Sequence, residues 1–301
     1  MQSIRHLNTI LVCLDLTEID HSLIKYANFL SQALETDKII FMHAIQAYDL
    51  PDKSSKKFPD LKSSLSKTIE EEINSIVANN FKKQIKTEVV TKIEDEDASE
   101  VIINFIEKEN VDLTLIGQKP GEDREGHYGQ KIASEAGSDL MFIPEEPELS
   151  IKKLLCAIDL SKFSAKAFRR ALDIAKATKA ELVCQYIFDT SISYFPAATK
   201  MTSASMEKQS LKKYRKFAKQ FGLQPEEIKC RYEINESMKS QAEKIYQGAE
   251  EEKAELIIIG AKGQTSSITS LLGNITENFR RMKKQIPIMV MKNLKDKKKW
   301  I

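Results

Sequence analysis

With 301 residues, 42% of them apolar and 30% charged, the chain has enough material for about two globular domains of ordinary composition. Its 46 Lys and Arg nearly balance 44 Asp and Glu, and a net charge of +2 gives no case for a nucleic-acid or membrane partner. No run approaches the roughly 18 apolar residues of a membrane span. The opening MQSIRHLNTILVCLDL also lacks an apolar segment followed by a small-residue cleavage site. Cys13, Cys156, Cys184 and Cys230 are scattered without CxxC spacing, and three of them lie in strand-like runs as buried free thiols would. A cytoplasmic location is expected. The basic run Lys295-Asp296-Lys297-Lys298-Lys299 reads as a solvated tail.

In chain order, Ile10 to Asp15 is a buried strand that ends on a carboxylate. Ser22 to Leu34 follows with apolar residues at helical spacing (Leu23, Tyr26, Ala27, Leu30, Leu34). Lys38 to Ile45 is a second strand, and a proline-marked connection from Asp49 to Lys62 leads to a long amphipathic helix over about Leu61 to Phe81. Thr87 to Ile93 is predicted as strand, Ala98 to Glu109 as helix, Leu113 to Gly117 as strand, Gly129 to Ala136 as helix and Leu140 to Ile143 as a last strand.

The order then repeats. Leu154 to Ser161 matches Leu11 to Thr17 in kind, with Asp159 at the place of Asp15. Ala165 to Ala177 reads as helix and Glu181 to Phe188 as strand. A polar stretch, Thr190 to Ser205, precedes a helix over Met206 to Phe221. Lys229 to Ile234, Ser237 to Glu252, Leu256 to Gly260, a helix over Ile275 to Lys284 and a strand over Ile286 to Met291 complete the second copy. The interval from strand-end Asp to strand-end Gly is nearly equal in the two copies, which argues for an internal duplication. The linker falls at Pro144-Glu145-Glu146-Pro147-Glu148, giving domains at 1–147 and 148–301. Strands that alternate with helices and are uniformly apolar predict an α/β fold: two tandem, doubly wound, five-stranded parallel sheets.

In such sheets ligands bind beyond the C-terminal strand ends, at the switch point. The second copy has the residues for an anion there. Leu256 to Ile259 ends at Gly260, and Gly263 and Gly273 follow with Asn274, Ile275 and Thr276 at the start of a helix. Glycines permit close backbone approach, and amides at a helix N-terminus face a phosphate. No Lys-Ser or Lys-Thr pair closes a P-loop, and no first strand leads into GxGxxG. His6, His21, His43 and His127 share no metal-ligand spacing, and no Ser-His-Asp set can be assembled, so neither a metal site nor a catalytic site is expected.

On these residues the chain resembles a tandem universal stress protein. The resemblance covers essentially the whole chain, as two copies of a domain related to the adenine-nucleotide α-hydrolase-like fold. ATP-binding members carry an Asp after the first strand and a loop G-x2-G-x9-G-(S/T) after the fourth. Asp159, Gly260, Gly263 and Gly273 match this pattern, and Asn274 stands where Ser or Thr is usual. The resemblance implies that backbone near Gly260, Gly263 and Gly273, with Asn274, Thr276 and Lys262, holds the phosphates of ATP. Asp159 would take a ribose hydroxyl or a water on an accompanying Mg2+, and the backbone of Tyr186 and Ile187 would meet adenine.

The first copy departs from the pattern. Three residues separate Gly117 from Gly121, Pro120 removes a donor, and Glu122, Asp123 and Glu125 face only Arg124 before Gly129. Each close carboxylate would repel a phosphate by about 1 kcal/mol even in water. The first copy is therefore expected not to bind ATP, with Asp15 or Thr17 serving as a helix cap instead. Two functions of different class follow. One is a nucleotide-binding regulator with at most slow hydrolysis, since no base or arginine finger is evident. The other is an interaction protein that binds no nucleotide and acts as a fused pseudo-dimer, open to further pairing into a homodimer. A nucleotidyl-transferring enzyme is disfavoured because the HIGH-type motif is absent.

Overall fold

A computed structural model describes residues 7–46, 59–81, 85–94, 97–118, 131–132, 134–189, 203–235, 240–261 and 286–292. The chain divides into two compact units, built on Met1–Ser150 and on Ile151–Arg281 with Ile288–Asn293. The first holds β1 (Thr9–Leu14), α1 (Ile19–Ala33), β2 (Lys38–Gln46), α2 (Pro59–Asn80), β3 (Lys86–Glu94), α3 (Ala98–Lys108), β4 (Leu113–Gly117) and β5 (Asp139–Ile143). The second holds β6 (Lys153–Ala157), α4 (Lys162–Thr178), β7 (Glu181–Asp189), α5 (Ser203–Lys219), β8 (Lys229–Asn235), α6 (Gln241–Glu252), β9 (Leu256–Gly260) and β10 (Ile288–Met291).

Every paired strand within each unit is parallel, in the order β3-β2-β1-β4-β5 in the first and β8-β7-β6-β9-β10 in the second. The predicted α/β class and the doubling are both present. Helices on both faces explain why the strands are apolar throughout. Successive β7 side chains show it directly. Cys184 meets Tyr214 of α5, while the next residue, Gln185, reaches the Lys244 carbonyl of α6 at 3.0 Å. Gln185 lies so close over Gly248 that a Cβ there would stand 2.5 Å from its amide nitrogen. Phe168 of α4 packs on Phe217 and Phe221 with ring centroids 5.3 and 4.7 Å away, closing the opposite face.

Several helix boundaries differ from expectation. α1 begins at Ile19 rather than Ser22, because Ile19 and Asp20 are already buried against the sheet. α4 begins at Lys162 rather than Ala165, and α5 at Ser203, inside the stretch expected to be a connection. α6 begins at Gln241 rather than at Ser237, with Ser240 as its N-cap. The Ser240 hydroxyl accepts the Glu243 N–H at 3.2 Å and the Glu243 carboxylate accepts the Ser240 N–H at 2.7 Å. Such a reciprocal box, worth about 1 kcal/mol, defines the helix start more sharply than periodicity does.

Candidate functional site

In the second unit the chain runs from β6 outward to β7 and β8, then returns to the other side of β6 as β9 and β10. The reversal lies between β6 and β9, which pair through Leu154↔Leu256, Leu155↔Ile257 and Cys156↔Ile258. Such a switch point leaves a crevice at the C-terminal strand ends. Gly260 is the last residue of β9, and Asp159 follows the end of β6 by two residues. The Ala261 N–H donates to the Met291 carbonyl at 2.9 Å, which holds the exit of β9 against β10.

The turn after β6 is tightly organised. Ile158 N–H donates to the Gln185 carbonyl at 2.9 Å, extending the β6–β7 ladder by one bond. Leu160 then adopts φ of +62°, a left-handed conformation that costs a leucine roughly 1–2 kcal/mol. The Asp159 carboxylate accepts the Ser161 N–H at 2.9 Å, and the Ser161 hydroxyl accepts the Ser164 N–H at 3.2 Å. These bonds fix Asp159 in the turn just beyond the end of β6. Beside it, Tyr186 of β7 has its phenol pushed up, by burial first and by the Asp159 charge second, so it stays a neutral donor. Ile187 is half-buried on the same strand.

The structure therefore brings Asp159, Gly260, Tyr186 and Ile187 to the ends of β6, β9 and β7. Lys262, Gly263, Gly273, Asn274 and Thr276 lie outside the described residues, as do Gly121 to Gly129 of the first unit.

The matching place in the first unit is built otherwise. Leu16 has the same φ of +62°. The N-cap of α1 is Glu18, which makes no side-chain cap bond, rather than the expected Asp15 or Thr17, and Thr17 donates its hydroxyl to Asp15 at 2.5 Å. The tie is made from inside the helix instead. The Asp20 carboxylate accepts the Asp15 N–H at 3.2 Å and the Leu16 N–H at 2.8 Å. His43, expected to be a satisfied strand histidine, is 8% exposed and places Nδ1 2.9 Å from the Leu14 carbonyl. Sequence reasoning passed over the strained leucines and the exchange of Asp20 for Ser164. The second was readable by sliding one copy over the other.

Among the described residues no group of three His, Cys, Asp or Glu gathers to hold a metal, and no helix is long and apolar enough to cross a membrane.

A doubled parallel α/β chain, with an acid just past the first strand and a glycine ending the fourth in each unit, defines the class of fold. The sequence model of the Universal stress protein family matches residues 6–135 and 150–290. The chain belongs to that family, as a tandem of two of its domains. A universal stress protein of Methanocaldococcus jannaschii is 31% identical over 150 residues, covering 48% of this chain and 84% of the relative. Among solved structures, a universal stress protein from Archaeoglobus fulgidus DSM 4304 superposes with a TM-score of 0.66 at 16% identity. The match spans 97% of this chain and 98% of that one. A putative universal stress protein from Pseudomonas aeruginosa UCBPP-PA14 gives 0.64 at 16% identity over 96% and 94% of the two chains. Both likenesses establish the fold across the full tandem.

Proposed function

We propose that the second unit binds an adenine nucleotide, ATP, at the ends of β6, β7 and β9, and that the chain signals through conformation rather than rapid turnover. The observation that carries this reading is the placement of Asp159, two residues past the end of β6, and Gly260, at the end of the neighbouring β9, at the chain reversal. Family membership supports it, since the family model matches the second copy over residues 150–290, the span that carries the glycine pattern. The residues at hand suit the ligand. Glycine at the end of β9 admits a phosphate close to the backbone, and Asp159 offers a fixed acceptor for a ribose hydroxyl.

In this reading Tyr186 and Ile187 border the base, and the neutral Tyr186 phenol adds a donor beside Asp159. Amides at Gly260, Gly263 and Gly273, with Lys262, Asn274 and Thr276, hold the phosphates. Mg2+ accompanies the nucleotide and neutralises part of its charge. The chain's own work is to bind and orient, and hydrolysis is expected to be slow. A cytoplasmic protein acting as an intramolecular pseudo-dimer fits the same reading.

Mass spectrometry of ligand released from the purified chain, followed by calorimetric titration with ATP, tests it. Binding is expected, and Gly263→Leu or Gly273→Leu should abolish it. Unchanged affinity in both variants would move the site elsewhere. No binding at millimolar ATP would leave a non-nucleotide interaction protein.

A further inference from the structure

The two units share a backbone at the end of their first strands and differ in the side chain that stands over it. Leu16 and Leu160 have the same left-handed φ of +62° one residue after the strand-end acid. In the first unit two consecutive amides, of Asp15 and Leu16, converge on the two oxygens of Asp20. Adjacent amides turned to one acceptor form an anion-binding concavity. That concavity is full: Asp20 is 3% exposed.

The neighbouring residue closes what room is left. Ile19, also 3% exposed, lies over Gly117, where an added Cβ would come within 3.0 Å of its Cδ1 and Cγ2. The first turn of α1 thus covers both strand ends, β1 with Asp20 and β4 with Ile19.

In the second unit Ser164 stands three residues after Ser161, as Asp20 stands three after Thr17. Its hydroxyl donates back to the Ser161 carbonyl at 3.2 Å, within its own helical turn. No carboxylate is carried at that position.

We propose that Asp20 is a tethered anion occupying the first unit's strand-end crevice. It determines that this unit refuses an acidic ligand, while Ser164 keeps the second unit's crevice open. A phosphate oxygen approaching the first unit finds its amides already bonded and a second negative charge in place. The acidic ligand is a nucleotide phosphate on the reading given above, but the self-occupied crevice stands on the first unit's own geometry.

Transplanting the carboxylate tests this in the full chain. Ser164→Asp is expected to weaken ATP binding at least tenfold relative to Ser164→Ala, which sets the baseline for loss of the hydroxyl. Amide hydrogen exchange at Leu160 should slow in Ser164→Asp toward that of Leu16. In Asp20→Ser the Leu16 amide should exchange at least tenfold faster. Equal ATP affinity in Ser164→Asp and Ser164→Ala would overturn the proposal. Should the unmodified chain bind no ATP, the nucleotide reading fails, and the exchange arm decides the proposal alone: unchanged exchange at Leu160 in Ser164→Asp overturns it.

Discussion

Cys156, Cys184 and Cys230 stand side by side on β6, β7 and β8, paired in register across three parallel strands. All are free, and Cys156 and Cys184 are fully buried. Burial removes the water that would stabilise a thiolate, so each thiol is pushed up, Cys230 to about 12. Cys13 rises to about 12 as well, through desolvation and then the nearby Asp20 charge. Since the thiolate is the nucleophile, these sulfurs should be inert in the folded chain. Near pH 8, a chromogenic disulfide reagent is expected to label the native protein at least about a hundredfold more slowly than the unfolded chain. A rapid phase of even one equivalent under native conditions would contradict this. Strand-like runs were enough to read Cys156 and Cys184 as buried thiols, while Cys13, read the same way, is half-buried. Their alignment was not legible, because register is a property of strand pairs.

At the scale of elements, the C-terminal turn of α6 is tied to β8 by charge. Arg231 bonds Glu252 at 2.9 Å and Glu233 at 3.0 Å, and also holds Glu251; Lys229 reaches both oxygens of Glu252 at 2.8 Å. Burial acts to raise the Glu252 carboxyl, but bonds from Lys229 and Arg231 outweigh it and hold it below the usual glutamate range. Glu251 is held down chiefly by the Arg231 bond. A folded-state value below the unfolded one stabilises the protein above the ordinary glutamate value of about 4.3. That stabilisation is lost as pH falls through the lower folded value. The urea midpoint should therefore drop as pH is lowered from about 5 toward 3. Glu252→Gln should show a shallower decline, and an identical slope would remove this network from the account. Among the described residues element order and type were legible from apolar periodicity, and the helix expected over 275–284 lies outside them. The helix starts were not, since Ile19 is set by burial and Gln241 by the Ser240–Glu243 cap.

For the whole molecule the consequence of asymmetry is a count. One nucleotide per chain is expected at saturation in equilibrium dialysis, and a value of two would place a working site in the first unit. By itself the sequence determined the duplicated α/β order and the strand-end positions of Asp159 and Gly260, because hydrophobic period and glycine punctuation are local properties of the chain. Only the tertiary structure decided that β6 and β9 pair, which puts that acid and that glycine at one crevice. It also decided that the first unit's crevice is filled by Asp20 and Ile19. The reason is physical. Which strands pair, and which side chain fills the space at their ends, depends on long-range packing and on the backbone fixed at Leu16 and Leu160, and neither is written in local propensity.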